Sequence, residues 1–83
     1  MIVFVYAQGA APGAAVLAQG NLQGQGVANT FDVTIAGAPG LVAGNHYVLA
    51  IGAQLQNANQ HQNGWPTPVQ LANVNAGVYT FIA

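Results

Sequence analysis

The side chains that could transfer a proton or bind a metal ion are few and widely spaced in this sequence. Asp32 is the only carboxylate side chain, and the two imidazoles, His46 and His61, stand 15 positions apart. A zinc site requires three or four suitably spaced ligands, and general acid–base catalysis requires an acid and a base with tuned pKa values at the substrate. We therefore expect Asp32 to lie on a solvent-facing polar strand face, and we predict neither a metal site nor a cofactor.

Side chains suited to nucleophilic catalysis are equally scarce. The sequence has no Ser and no Cys, and its threonines are Thr30, Thr34, Thr67 and Thr80. None of these lies in the glycine-flanked turn that exposes a catalytic nucleophile. The glycines cannot form a P-loop for phosphate, because that motif requires a Lys and the sequence has none. We therefore predict that the protein is not an enzyme.

The near absence of charge is the most unusual property of the composition. Only 1% of the residues are charged, and the formal net charge is −1, whereas roughly a quarter of the residues are charged in an average soluble protein. Without Lys or Arg the chain cannot neutralise phosphates or attract anionic lipids, so we expect no nucleic-acid partner and no charge-driven membrane binding. A net charge near zero removes the repulsion that keeps proteins apart. We therefore expect self-association and a stability that depends little on pH, as in an acid-resistant protein.

The apolar content is sufficient for a folded domain. Hydrophobic residues make up 53% of the 83 residues, which is enough for the core of a single domain spanning 1–83. The longest apolar runs fall far short of the roughly 20 residues of a membrane-spanning helix, so we expect no membrane insertion. The first apolar run, 2–7, lacks the basic region of a signal peptide, and we interpret it as a strand.

Alternating side chains and turn signals predict about six to eight short β-strands. In the clearest pattern, Phe31, Val33 and Ile35 point to one side of a strand and polar side chains to the other. Segment 14–22 is rich in alanine, but its closely spaced glycines and the lack of a helix cap favour a strand over a helix. The predicted strands are 2–8, 14–22, 27–36, 45–55, 69–74 and 78–83. Their regular spacing predicts an all-β fold, either a small antiparallel β-sandwich or a jelly-roll-like barrel.

The polar segment 54–68 is the longest predicted loop. It combines several amides with a tryptophan that Pro66 and Pro68 would hold in place. Amide hydrogen bonds and an aromatic platform suit neutral sugars, whereas tryptophan is also common at protein–protein interfaces. The predicted glycan-binding residues are Asn57, Asn59, Gln60, His61 and Trp65.

Both terminal strands are apolar, which suggests that they are covered. Strand edges in soluble proteins are usually protected by lysine, and this chain has none. Pairing within the domain is the simpler interpretation, and addition of a strand across subunits is the other. The predicted subunit-contact residues are Ile2, Phe4, Tyr6, Trp65, Tyr79 and Phe81.

These observations predict a structural subunit whose partners are copies of itself, as a homo-oligomer or polymer. Apolar packing, edge-strand pairing and amide hydrogen bonds would hold an extracellular filament, a tube, or a coat at the cell or spore surface. The alternative is a small secreted, lectin-like domain that binds glycans through loop 54–68. A sequence redesigned to remove its charges would show the same composition.

Overall fold

A computed structural model describes residues 1–11, 13–25, 30–51 and 69–83 of the chain. Six β-strands lie within these ranges, and each overlaps one of the six segments predicted as strands. The strands are β1 (Ile2–Ala7), β2 (Ala18–Gln25), β3 (Thr30–Thr34), β4 (His46–Ile51), β5 (Val69–Asn75) and β6 (Val78–Ile82). Within the described ranges, no helix has the length and hydropathy needed to cross a membrane.

The strands form a closed antiparallel barrel in the order β1–β2–β3–β6–β5–β4. The predicted all-β class is therefore confirmed, in the form of a small six-stranded barrel. Strand β1 pairs with β2 on one side and with β4 on the other. Strand β6 likewise pairs with β3 and with β5. Each terminal strand thus has a partner on both sides within its own chain.

Side chains at alternate strand positions fill the interior of the barrel. The alternation predicted for β3 is confirmed, because Val33 and Ile35 are buried and Phe31 packs against the same cluster. The rings of Tyr47 and Phe81 meet edge to face, with 6.3 Å between centroids and 85° between planes, a favourable geometry for aromatic pairs. The buried interior residues are Val3, Val5, Val33, Ile35, Tyr47, Leu49, Val69, Leu71, Tyr79 and Phe81.

The outer faces of β1 and β4 carry a second, smaller apolar cluster. Phe4 and Tyr6 of β1 pack there with Val48 and Ala50 of β4, and all four side chains are buried. The partly buried residues against this cluster are Ile2, Ala10 and Ala14. Because both faces of β1 are covered, its sequence is a continuous apolar run instead of an alternating one.

Strand β2 begins at Ala18 and ends at Gln25, so it lies further along the chain than the predicted segment 14–22. Gly20 allows this strand to pass close to the end of β3. A Cβ atom at Gly20 would lie 2.3 Å from the carbonyl oxygen of Thr34 and under 3 Å from side-chain atoms of Val33 and Ile35. Packing against β3 therefore requires a glycine at position 20, within the segment whose sequence leaves strand and helix as alternatives.

A two-residue turn, Ala76 and Gly77, joins β5 to β6. Ala76 and Gly77 both have positive φ angles, 51° and 83°, as in the type I′ turn that matches the twist of a hairpin. Asn75 and Val78 are opposite each other in the register and close the hairpin.

Neighbouring strands run in opposite directions, so three connections lie at one end of the barrel. These are the connection from β1 to β2, the connection 35–45 from β3 to β4, and the turn from β5 to β6. We term this the turn end. A hydrogen bond from Ile35 N to the Gly77 oxygen, 3.0 Å long, ties two of these connections together.

Candidate interaction surface

The seam between β4 and β5 is short. Its register joins two residue pairs, His46 with Gln70 and Tyr47 with Val69, whereas each other pair of neighbouring strands is joined by four or five. The two strands overlap only near the beginning of β5. Strand β5 therefore extends past β4, and its residues 72–75 are all exposed.

Leu71 is the last residue of β5, in chain order, whose backbone is hydrogen-bonded to the segment that leads into β4. Leu71 N donates a hydrogen bond to the Asn45 oxygen at 2.9 Å, and the Leu71 oxygen accepts one from Gly44 N at 2.7 Å. The register with β6 then shifts between Leu71 and Asn73, which is the mark of a β-bulge with Ala72 as the extra residue.

Val74 is the next residue of β5 whose backbone faces away from β6. In a two-residue hairpin the closing pair, here Asn75 and Val78, exchanges both backbone hydrogen bonds, so the preceding pair of Val74 and Tyr79 does not. The N–H and C=O groups of Val74 therefore point to the β4 side, where no residue in the described part of the chain bonds them. We term residues 72–75 the β5 edge.

The turn end exposes large apolar side chains. Val16, Leu17 and Val42 lie in its connections, with 38%, 45% and 54% of their surface exposed, and Val74, near the end of β5, is 42% exposed. The chain has no Lys, Arg or Glu to interrupt this surface with charge. Exposed apolar side chains mark interaction sites where they form a contiguous patch.

A neutral cavity of about 420 Å³ opens beside the start of β4. The side chains of Gln8, Asn45 and His46 are exposed around it. Tyr47 also lines the cavity, and its hydroxyl accepts a hydrogen bond from Val42 N at 2.9 Å. The lining therefore offers amide and imidazole hydrogen bonds and no charged carboxylate, ammonium or guanidinium group.

Asp32 is less exposed than the solvent-facing position predicted for it. Its carboxylate is half-buried and accepts a 2.7 Å hydrogen bond from Thr80 Oγ1 on β6. His46 lies on β4, which is not a neighbour of β3 in the barrel. The structure therefore does not place Asp32 and His46 on adjoining strands, and among the described residues no three His, Cys, Asp or Glu side chains form a metal-binding group.

Most of the residues predicted to contact another subunit are buried within their own chain. Phe4, Tyr6 and Phe81 are almost completely buried, and Tyr79 is 7% exposed. The surface of these four side chains is used by packing within their own chain, and their role in subunit contacts stays a prediction. Ile2 is half-buried and packs on the outer cluster of β1 and β4. Trp65 lies outside the described residues.

The open segment lies on β5 and not on the terminal strands. The sequence signal for it is weak, because Val69 and Leu71 read as an ordinary half-buried strand and only Val74, one residue out of phase with them, departs from the alternation. The available cue is the run Asn73, Val74, Asn75, which places a single apolar residue between two amides directly before a tight turn.

The predicted glycan-binding residues Asn57, Asn59, Gln60, His61 and Trp65 all lie outside the described residues. Their role stays a prediction from the sequence. The chain matches no family model, no curated protein and no solved structure in the comparisons with known proteins.

Proposed function

We propose that this protein is a structural subunit that assembles with copies of itself into an extracellular filament, a tube, or a coat at the cell or spore surface. The observation that carries the proposal is the exposure of Val16, Leu17 and Val42 at the turn end of a chain whose only charged side chain is a half-buried aspartate. The proposed role requires no cofactor and no catalysis.

Burial of this surface would favour association. Removal of apolar surface from water stabilises a contact by about 25 cal/mol per Å². Charged side chains normally oppose unwanted contacts through repulsion and through the free energy needed to desolvate them. Here neither effect opposes the approach of a second copy, because the turn end has no charged side chain.

Exposed amides would supplement the apolar contacts. Gln8 and Asn45 are exposed near the turn end, and an amide group both donates and accepts hydrogen bonds. Two copies of the same neutral surface can therefore satisfy each other's polar groups. This supports a homo-oligomer or polymer more than binding to a charged partner.

The test is to compare Val42→Lys with wild type. Val42 is highly exposed and its backbone bond to Tyr47 does not involve the side chain, so we expect the fold to persist. Wild type should form larger species with rising concentration in sedimentation velocity, and filaments or lattices in electron microscopy. Val42→Lys should disperse these species.

Gln19→Lys is the matched control, because Gln19 is exposed on β2 and the change in net charge is nearly the same. It should assemble as wild type does. The proposal would be overturned if wild type stays a monodisperse monomer at about 1 mM, because its dissociation constant would then lie well above that concentration. Equal dispersal of both variants would show that an added lysine disperses the protein wherever it is placed, and that the turn end is not the contact.

The second candidate function is binding of a neutral glycan. It is favoured by the uncharged polar cavity that Gln8, Asn45 and His46 border. Loop 54–68, with its amides and Trp65, is the site that the sequence predicts for the same ligand class. Binding on a glycan array, lost in Trp65→Ala or in Asn45→Ala while the fold persists, would support this function and show which site is used. No binding across the array would count against it.

A further inference from the structure

We infer that the β5 edge binds a second copy of this chain by antiparallel strand pairing, across a two-fold axis at Val74. The inference rests on the proposed self-assembly and names one contact within it. It starts from the N–H and C=O groups of Val74, which face away from β6 and have no bonding partner among the described residues.

Two copies of the β5 edge complement each other in this arrangement. A two-fold axis at Val74 places Val74 opposite Val74 of the second copy. Each N–H can then donate to the opposite C=O, as in a hydrogen-bonded antiparallel pair with Cα atoms roughly 5.5 Å apart. The axis thus satisfies four backbone groups with two hydrogen bonds.

The sequence of the edge is symmetric about the same residue. Residues 72–76 read Ala, Asn, Val, Asn, Ala. Antiparallel pairing about Val74 therefore places Asn73 opposite Asn75 of the second copy, and amide opposite amide is a matched donor–acceptor pair. A valine then lies beside a valine, and no position brings charge against charge. This self-match identifies a second copy, and not an unrelated strand, as the occupant.

The edge lacks the side chains that usually prevent such pairing. Natural edges carry lysine, proline or inward-facing charge, and residues 72–75 contain none of these. The bulge at Ala72 limits the contact to a short segment. A two-fold contact uses the same surface on both copies and closes at a dimer. Growth beyond a dimer therefore requires another surface, such as the turn end.

Val74→Pro tests the inference directly. Proline removes the N–H that points away from β6 and leaves the hydrogen bonds between β5 and β6, which is where edge strands tolerate proline. Two intermolecular hydrogen bonds are lost per dimer, so the dimer dissociation constant in sedimentation equilibrium should rise about tenfold or more. Val74→Thr keeps the N–H and the branched Cβ, and it should bind within about threefold of wild type. Circular dichroism and urea unfolding would establish that both variants fold.

Val74→Cys gives a second readout that does not depend on proline. The chain has no cysteine of its own, and Cα atoms roughly 5.5 Å apart suit a disulfide. Under mild oxidation Val74→Cys should form a covalent dimer about tenfold faster or more than Gln19→Cys, an exposed control on β2.

Two results would overturn the inference. One is wild-type affinity in a folded Val74→Pro variant, and the other is equal cross-linking of the two cysteine variants. If either occurs while wild type still assembles, the β5 edge is not the contact and the proposed function stands. If wild type does not associate at all, the proposed function and the inference both fail.

Discussion

Thr80 and Asp32 are hydrogen-bonded across the outer face of the barrel. They are opposite each other in the register of β3 and β6, and Thr80 Oγ1 lies 2.7 Å from Asp32 Oδ1. Asp32 is the only acidic side chain of the protein. The one acidic side chain is therefore bound within its own sheet, and the surface proposed for assembly has none.

The first prediction concerns this hydrogen bond. Thr80→Val removes the hydroxyl donor and keeps the shape of the side chain. A hydrogen bond to a charged group contributes about 1.5–3 kcal/mol, and the half-buried position reduces this to about 1 kcal/mol. Urea unfolding should show a loss of this size in the free energy of unfolding.

A double-mutant cycle with Asp32→Ala isolates the contribution of the pair. The double variant should lose about 0.5–1 kcal/mol less than the sum of the two single variants. Strict additivity would show that the two side chains, although close, do not stabilise each other.

The six strands could be predicted because their signals are local. The alternation of Phe31, Val33 and Ile35 and the glycine-containing turns depend only on neighbouring residues. The antiparallel arrangement followed from the short connections between strands. The bounds of β2 could not be predicted, because they depend on its pairing with β3. The glycine within it, Gly20, is explained only by its close approach to Thr34, which is distant in the sequence.

The location of the open edge could not be predicted for a similar reason. Which part of a strand extends past its neighbour depends on how the register accumulates around a closed barrel, and no local pattern carries that information. The apolar sequence of β1 suggested a surface to be covered, and the cover for Phe4 and Tyr6 includes Val48 and Ala50 of the same chain. The lack of charge predicts a neutral surface wherever strands and turns are exposed, and it does not indicate which of them another copy would cover.

The second prediction tests the close approach of β2 to β3. Gly20→Ala would place a methyl group 2.3 Å from the carbonyl oxygen of Thr34, so the backbone of one strand must move. We expect a loss of about 2–3 kcal/mol in the free energy of unfolding, as for other overpacked cores. The control is Gln19→Ala, since Gln19 is the exposed neighbour on the same strand, and it should change stability by less than about 0.5 kcal/mol. If Gly20→Ala changes stability as little as Gln19→Ala does, β2 and β3 must lie further apart at Gly20 than in the structure.

The third prediction concerns the dependence of assembly on salt. Contacts between charged surfaces weaken with ionic strength because salt screens them. The proposed contacts involve apolar side chains, backbone groups and amides, and the chain has no Lys, Arg or Glu. The dissociation constant from sedimentation equilibrium should therefore change less than about twofold from roughly 10 to 150 mM NaCl. A change of about tenfold or more over that range would point to a charged contact and contradict the proposed assembly.

The fourth prediction concerns Tyr6 at alkaline pH. Tyr6 is buried on the outer face of β1, and this burial raises the pKa of its phenol above the ordinary value of 10.0. The folded protein therefore holds the phenolic proton more tightly than the unfolded chain does. The stability that comes from this group is fully present below about pH 10 and is lost as the pH rises through the folded-state pKa.

Comparison with Tyr6→Phe measures this contribution. Phenylalanine keeps the buried ring and cannot ionise, so its substitution should make the decline in the free energy of unfolding above about pH 10 shallower than in wild type. Loss of the hydroxyl also removes its polar interaction, which shifts the stability at every pH and leaves the slope unaffected. The slope between about pH 7 and pH 11 is therefore the quantity to compare. Equal slopes in the two proteins would mean that the phenol of Tyr6 is not shielded from water by the outer cluster.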